Sequence, residues 1–267
     1  MSTITTSDGV ALHYTDEGDG VPVVLIAGFT APIESWELQR RALLGAGMRV
    51  LGLDRRSHGQ SESPAYGQRM ARHGKDVHDF LAAVGLDDVV LVGGSMGAST
   101  IWAYYDLFGA ERVRAIVTVD QTPKMVNDET WAHGFYGLTR DNIGTFFADG
   151  VPPTGRGLDP IRSAERLAPL LAALDGRPPA MRDSRAPQTR PLLQDHAEQD
   201  WRDVVARVSV PNLFIAGRDS QLWACEHATA SAATNKLAEA VVLDDCGHAA
   251  NIDQPDRVNA AILEFLR

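Results

Sequence analysis

The sequence predicts an α/β domain: a mostly parallel sheet with helices on both faces and a helical cap inserted near the sheet's carboxyl edge. Three observations carry that expectation. Short β-branched runs alternate with amphipathic segments, the pattern of parallel strands joined by helical crossovers. The 267 residues, 44% of them hydrophobic, suffice for one large core. The alternation is interrupted once, from Gln121 to about Val208, where no convincing strand can be read.

Thr3 to Thr6 and Val10 to Thr15 flank the turn signal Ser7-Asp8-Gly9 and predict an antiparallel hairpin at the sheet edge. Val21 to Ala27, Arg49 to Asp54, Val89 to Val92, Val113 to Asp120, Asn212 to Ala216 and Ala240 to Leu243 add six strands, which makes eight. Trp36 to Leu44, Ala71 to Val84, Met96 to Phe108, Glu226 to Ala233 and Pro255 to Leu266 carry apolar residues at helical spacing. Val77, Phe80, Leu81 and Val84 form one such face. Within the interruption, Arg162 to Leu174 and Ala197 to Val208 are helix-like, Pro178 to Pro191 reads as a loop, and aromatic residues cluster near Trp131. The expected organisation is a core of residues 1–120 and 209–267 with a helical cap, or lid, over 121–208.

A formal net charge of −10 argues against nucleic-acid partners and anionic membrane surfaces, since both need a basic patch that no segment supplies. A small neutral substrate fits better. Cys225 and Cys246 show no metal-binding or redox spacing, and two thiols in a chain of this length point to a reducing cytoplasm. Neither an export signal at Met1-Ser2-Thr3-Ile4-Thr5-Thr6 nor a membrane-spanning apolar run is visible.

The chemistry begins at Gly93-Gly94-Ser95-Met96-Gly97, a G-x-S-x-G motif between a predicted strand and a predicted helix. A serine on so sharp a turn needs neighbours without side chains, and its hydroxyl then projects from the sheet's carboxyl edge. The helix that follows presents its first amides, so the N–H of Met96 would face an oxyanion forming beside Ser95. A second donor is expected from Ala27-Gly28-Phe29-Thr30, with the N–H of Phe29 as candidate. The serine needs a base, and the base an orienting carboxylate, both from later strand ends. His248 follows the last predicted strand and Asp219 the one before it. Asp120, at the end of the strand after the serine helix, is the alternative acid. His13, His73, His78, His133, His196 and His227 lack such placement and take surface or structural roles by default.

With Ala27-Gly28-Phe29, Asp54-Arg55-Arg56-Ser57-His58-Gly59-Gln60-Ser61, the Ser95 elbow, Gly217-Arg218-Asp219 and Gly247-His248 in this order, the chain resembles the α/β-hydrolase superfamily. Within it the resemblance is to the capped esterase-like group that also contains cofactor-free haloperoxidases. It covers nearly the whole chain outside the cap. It implies an eight-stranded sheet, a variable helical lid, and hydrolysis of esters or related acyl compounds with neither metal nor cofactor. Three positions depart from the family. Ala27 stands where many members have histidine before the oxyanion-loop glycine, Gly94 where histidine often precedes the nucleophile, and Ser57 where glycine is usual. His58, beside Ser57, is read as a structural loop residue, with compensation for the lost anchoring side chains as the alternative.

The function expected is therefore hydrolysis of a small, largely apolar carboxylic ester by Ser95, His248 and Asp219, with the Phe29 and Met96 amides as oxyanion hole. Lactone hydrolysis, perhydrolysis and C–C bond hydrolysis use the same triad and stay open. So does a ligand receptor built on the same fold, and so does a homo-oligomeric state. Trp131, Phe135 and Tyr136, with Phe146 and Phe147, are expected to give the substrate pocket its apolar wall.

Overall fold

The computed structural model describes residues 2–186 and 189–267. Met1, and Pro187 and Gln188 within the expected loop, lie outside the described residues. Eight strands form one sheet in the order β1-β2-β4-β3-β5-β6-β7-β8. β1 (Ser2–Thr5) and β2 (Ala11–Glu17) make the antiparallel edge hairpin, with Thr3 opposite His13. β2 also runs antiparallel to β4 (Arg49–Leu53), and every other neighbouring pair is parallel. The rest of the sheet is β3 (Pro22–Ile26), β5 (Val89–Gly94), β6 (Val113–Val119), β7 (Asn212–Gly217) and β8 (Ala238–Leu243).

Both faces of the central strands are buried, which explains why they read as continuous apolar runs rather than alternating ones. Val24, Ile26, Leu51, Leu53 and Leu91 point to one side, where α2 (Met70–Val84), α3 (Met96–Phe108) and α8 (Glu226–Ala232) complete the larger core. Val23, Leu25, Val50, Val90 and Val92 point to the other, against α1 (Glu37–Gly45) and α10 (Pro255–Phe265). The crossover from β6 to β7 carries α4 (Ile143–Phe146), α5 (Pro160–Ala173), α6 (Arg190–Glu198) and α7 (Arg202–Arg207). The helix expected over Ala197 to Val208 is broken. Gln199 is extended, Asp200 bridges to Lys124, and the Trp201 N–H donates to Pro123 O at 2.9 Å, so pairing with a distant segment interrupts the helix. α7 then places Val204 and Val205 in the larger core. Cys225 and Cys246 are buried free thiols. Among the described residues no helix is long and apolar enough to cross a membrane.

The parallel strands end in register. Gly94 pairs with Val119, and Gly217 with Leu243. Beyond these ends backbone bonds continue the ladder: Ser95 N–H to Val119 O, Asp120 N–H to Ile215 O, and Asp219 N–H to Cys246 O. One edge of the sheet thereby collects Ser95, Asp120 and the loop that carries His248.

Candidate active site

Ser95 has φ 50° and ψ −129°, a left-handed combination that costs a residue with a Cβ about 1–3 kcal/mol. Its neighbours show why the turn is so tight. A Cβ on Gly97 would lie 2.2 Å from Ile26 O, and one on Gly93 2.6 Å from the Ala98 nitrogen. Gly94 has a different cause. A Cβ there would meet the Trp36 ring at 2.9 Å, so the indole occupies the space that a side chain before Ser95 would need. Met96 is buried, and among the described residues neither its N–H nor that of Phe29 has an acceptor. Buried amides almost always find a partner. Two unpaired donors beside a strained serine suit an oxygen supplied by a ligand.

His248 Nδ1 lies 2.7 Å from Asp120 Oδ2. Asp120 is fully buried at φ 44°, and it also accepts the Gly217 N–H at 3.0 Å and the Ser220 hydroxyl at 2.7 Å. Burial alone would raise its pKa. The histidine partners His227 and His248 outweigh that and bring it down to about 2. An ionised carboxylate only accepts, so His248 Nδ1 donates and Nε2 keeps its lone pair. His227 Nε2, at 3.7 Å from Oδ1, is an electrostatic neighbour rather than a hydrogen-bond donor. The His248 backbone N–H donates to Gln221 Oε1 at 3.1 Å, and Trp223 packs edge-on against the imidazole.

The carboxylate hydrogen-bonded to His248 is thus Asp120, the alternative acid, and not Asp219. Asp219 is exposed, and among the described residues its side chain makes no hydrogen bond. The physical reason lies in its own loop. Gly217 and Ser220, on either side of it, both donate to Asp120, so the loop turns its donors inward and Asp219 outward.

The Ala27-Gly28-Phe29 loop is held by a group that motif reading did not single out. Arg55 Nη2 donates to Gly28 O at 2.8 Å and Nε to Ala27 O at 3.2 Å. In a trans peptide the N–H points opposite to the preceding C=O, so fixing Gly28 O fixes the direction of the Phe29 N–H. Arg55 is itself held by His58 Nε2 at 2.9 Å and His73 Nδ1 at 3.1 Å, and His58 Nδ1 donates to Arg56 O. His58 thereby braces the arginine that bonds Gly28 O and Ala27 O, which is the geometry of the compensating alternative rather than of a plain loop residue. Ser57, where glycine is usual, adopts φ 62°, and Gln68 holds its hydroxyl at 2.9 Å.

A cavity of about 40 Å³ adjoins Ser95. Phe29, Met96, Phe135 and Phe147 border it, together with Leu193 and His196 from α6. Of the five residues named for the pocket wall, Phe135 and Phe147 lie there and Trp131, Tyr136 and Phe146 do not. Trp131 instead donates its Nε1–H to Thr122 Oγ1 at 3.1 Å, with His133 edge-on to its ring. Tyr136 bonds Leu222 O through its N–H and lies beneath the Arg156 guanidinium. A larger cleft of about 380 Å³ is lined by Asp16, Glu37 and Arg40 and touches none of Ser95, Asp120 and His248. Among the described residues no cluster of three or more His, Cys, Asp or Glu side chains could hold a metal ion.

Three buried imidazoles in this region are neutral. Burial, then the Arg55 charge, lowers the pKa of His58 and His73 well below 6.5, and the same two causes bring His196 to about 3. The unfolded chain binds protons at these sites below pH 6.5 while the folded chain does not. Their stabilisation is therefore complete above pH 6.5 and is lost as pH falls toward 3. For His196 the loss is on the order of 5 kcal/mol. Urea unfolding should show stability declining from pH 6.5 downward, above the carboxylate range, and His196→Phe should lower that slope by about one proton. A stability flat between pH 6.5 and 4.5 would contradict it.

Comparison with known proteins agrees with this architecture. A non-heme haloperoxidase of Rhodococcus erythropolis is 28% identical over 100% of this chain and 99% of its own. The crystal structure of a bromoperoxidase from Bacillus anthracis superimposes with a TM-score of 0.80 at 25% identity, covering 99% of both chains. An esterase from Exiguobacterium antarcticum shares the fold, with a TM-score of 0.80 at 21% identity over 99% of this chain and 98% of that one. The family model for the alpha/beta hydrolase fold matches residues 21–255, and with it the chain belongs to the α/β-hydrolase family.

Proposed function

We propose that this protein is a serine hydrolase that cleaves short carboxylic esters through an acyl-enzyme, with Ser95 as nucleophile, His248 as base and Asp120 as the orienting acid. The observation that carries the proposal is the His248–Asp120 hydrogen bond at the strand ends beside Ser95. His248 Nε2 takes the Ser95 proton as Oγ attacks the ester carbonyl, and the oxyanion is received by the Phe29 and Met96 amides. The same imidazole protonates the departing alcohol, then activates a water that releases the acid. The cavity beside Ser95 has room for roughly three waters, which suits an acetyl- or propionyl-sized group. Residues 121–208 act as the lid over this site. The substrate is a small molecule, and the working compartment is the cytoplasm.

The haloperoxidase names of the relatives favour one further activity. Hydrogen peroxide in place of water would attack the same acyl-enzyme and release a peracid and free Ser95.

A fluorophosphonate probe tests the central claim. It should modify the protein stoichiometrically, on the peptide that contains Ser95, and abolish hydrolysis of p-nitrophenyl acetate. Failure to label, or labelling elsewhere with activity retained, would sink it. Arg55→Met separates chemistry from binding. With Gly28 O released, kcat should fall by about 10- to 100-fold while KM changes little, since less than a whole oxyanion donor is lost. An unchanged kcat would remove Arg55 from the mechanism.

A further inference from the structure

Among the described residues His196 is the one histidine that borders the cavity beside Ser95. It is 4% exposed on α6, its Nδ1 is buried, and among the described residues that nitrogen has no hydrogen-bond partner. Trp223, also in the wall, has a buried Nε1–H in the same condition. Buried polar atoms without partners are uncommon enough that each needs a cause. The remaining wall is apolar apart from Ser95, so the cavity has the composition of a ligand site: mostly hydrophobic, with few polar groups that orient the guest. α6 is a firm mount. Leu192 and Leu193 are buried in the core, Asp195 accepts the Met70 N–H at 2.8 Å, and Gln194 donates to Ile143 O at 3.1 Å.

We propose that His196 is a specificity-determining residue that hydrogen-bonds a hydroxyl on the substrate's acyl group, so that esters of short hydroxy acids are preferred over esters of plain alkanoic acids. The proposal rests on the serine-hydrolase reading only in assigning the acyl group to this cavity. The chemistry of the ring selects the partner. A neutral imidazole turns either an N–H or a lone pair toward a ligand, depending on the tautomer, and a hydroxyl can meet either, by accepting from the one or donating to the other. A carboxylate could use only the N–H. An ammonium group is disfavoured because the Arg55 charge acts on this position, where it also helps to keep His196 unprotonated. The cavity volume limits the acyl chain to roughly two or three carbons, as in a lactoyl group.

The test compares ethyl lactate, as both enantiomers, with ethyl propionate, each rate divided by the ester's hydroxide-catalysed rate to remove intrinsic reactivity. The wild-type protein should favour one lactate enantiomer by about tenfold in kcat/KM, the worth of one net hydrogen bond. His196→Phe should bring the ratio to about one while leaving the propionate value within about threefold. His196→Gln, which keeps a donor and an acceptor, should retain part of the preference and guards against a folding failure of the first variant. No preference in the wild type, a preference that survives His196→Phe, or an equal loss on both esters would each overturn the proposal. Binding of the same esters to Ser95→Ala, followed by ring-nitrogen NMR of His196, gives a readout independent of turnover. If the wild-type protein hydrolyses neither ester, tighter lactate binding that His196→Phe abolishes would uphold the subsite and sink the hydrolase. Equal or absent binding there would sink both.

Discussion

Ser95→Ala is expected to lower kcat for p-nitrophenyl acetate by about six orders of magnitude, to whatever the remaining amides and the cavity contribute. Only the hydroxyl is lost, so the fold should survive with a melting temperature within a few degrees of the parent. Ser95→Gly sharpens the test, because it removes the nucleophile and the Cβ together. At φ 50° and ψ −129° the Cβ is the source of the strain, so the glycine protein should be the more stable of the two inactive variants by about 1 kcal/mol. In a chain of this size that is about 2–4 °C in Tm. Turnover retained in either variant would remove Ser95 from the chemistry. A glycine variant less stable than the alanine one would show that the turn is held without strain.

The strands were legible because burial on both faces leaves runs such as Val89 to Val92 with no polar residue, and the serine because G-x-S-x-G needs its glycines for space that the fold does occupy: Ile26 O stands 2.2 Å from a Cβ on Gly97. What stayed hidden depends on pairs distant in the sequence. Arg55 holds Gly28 from 27 residues away, through an arginine that no local pattern separates from its neighbour Arg56, which instead pairs with Asp76. The break between α6 and α7 follows from Lys124 and Asp200 meeting across the crossover. His196 has a polar helix as its local context, yet α6 turns it inward beside Leu192 and Leu193. Trp131 was drawn to the pocket by its aromatic neighbours, and a hydrogen bond to Thr122 keeps it elsewhere.

The same limit governs the choice between the two carboxylates, and it yields the second large effect. Both Asp120 and Asp219 follow the ends of adjacent parallel strands, and nothing within ten residues of either tells which way it faces. The difference is tertiary: Gly217 N–H and Ser220 Oγ converge on Asp120, and His248 Nδ1 completes the set. Asp120→Asn should lower kcat by about four orders of magnitude, because an amide in place of the carboxylate can present its N–H₂ to His248 and favour the tautomer whose Nε2 is already protonated. Asp219→Asn should leave kcat within about threefold, as befits an exposed side chain with no partner to lose. The pH profile separates orientation from simple damage. With Asp120 held ionised down to about pH 2, the parent protein should lose activity on acidification through its histidine base and not through this carboxylate. In Asp120→Asn, residual activity should rise toward high pH, where hydroxide can substitute for the lost base. A greater loss in Asp219→Asn than in Asp120→Asn would move the orienting acid to the β7 loop and leave Asp120 as a buried brace for Gly217 and Ser220.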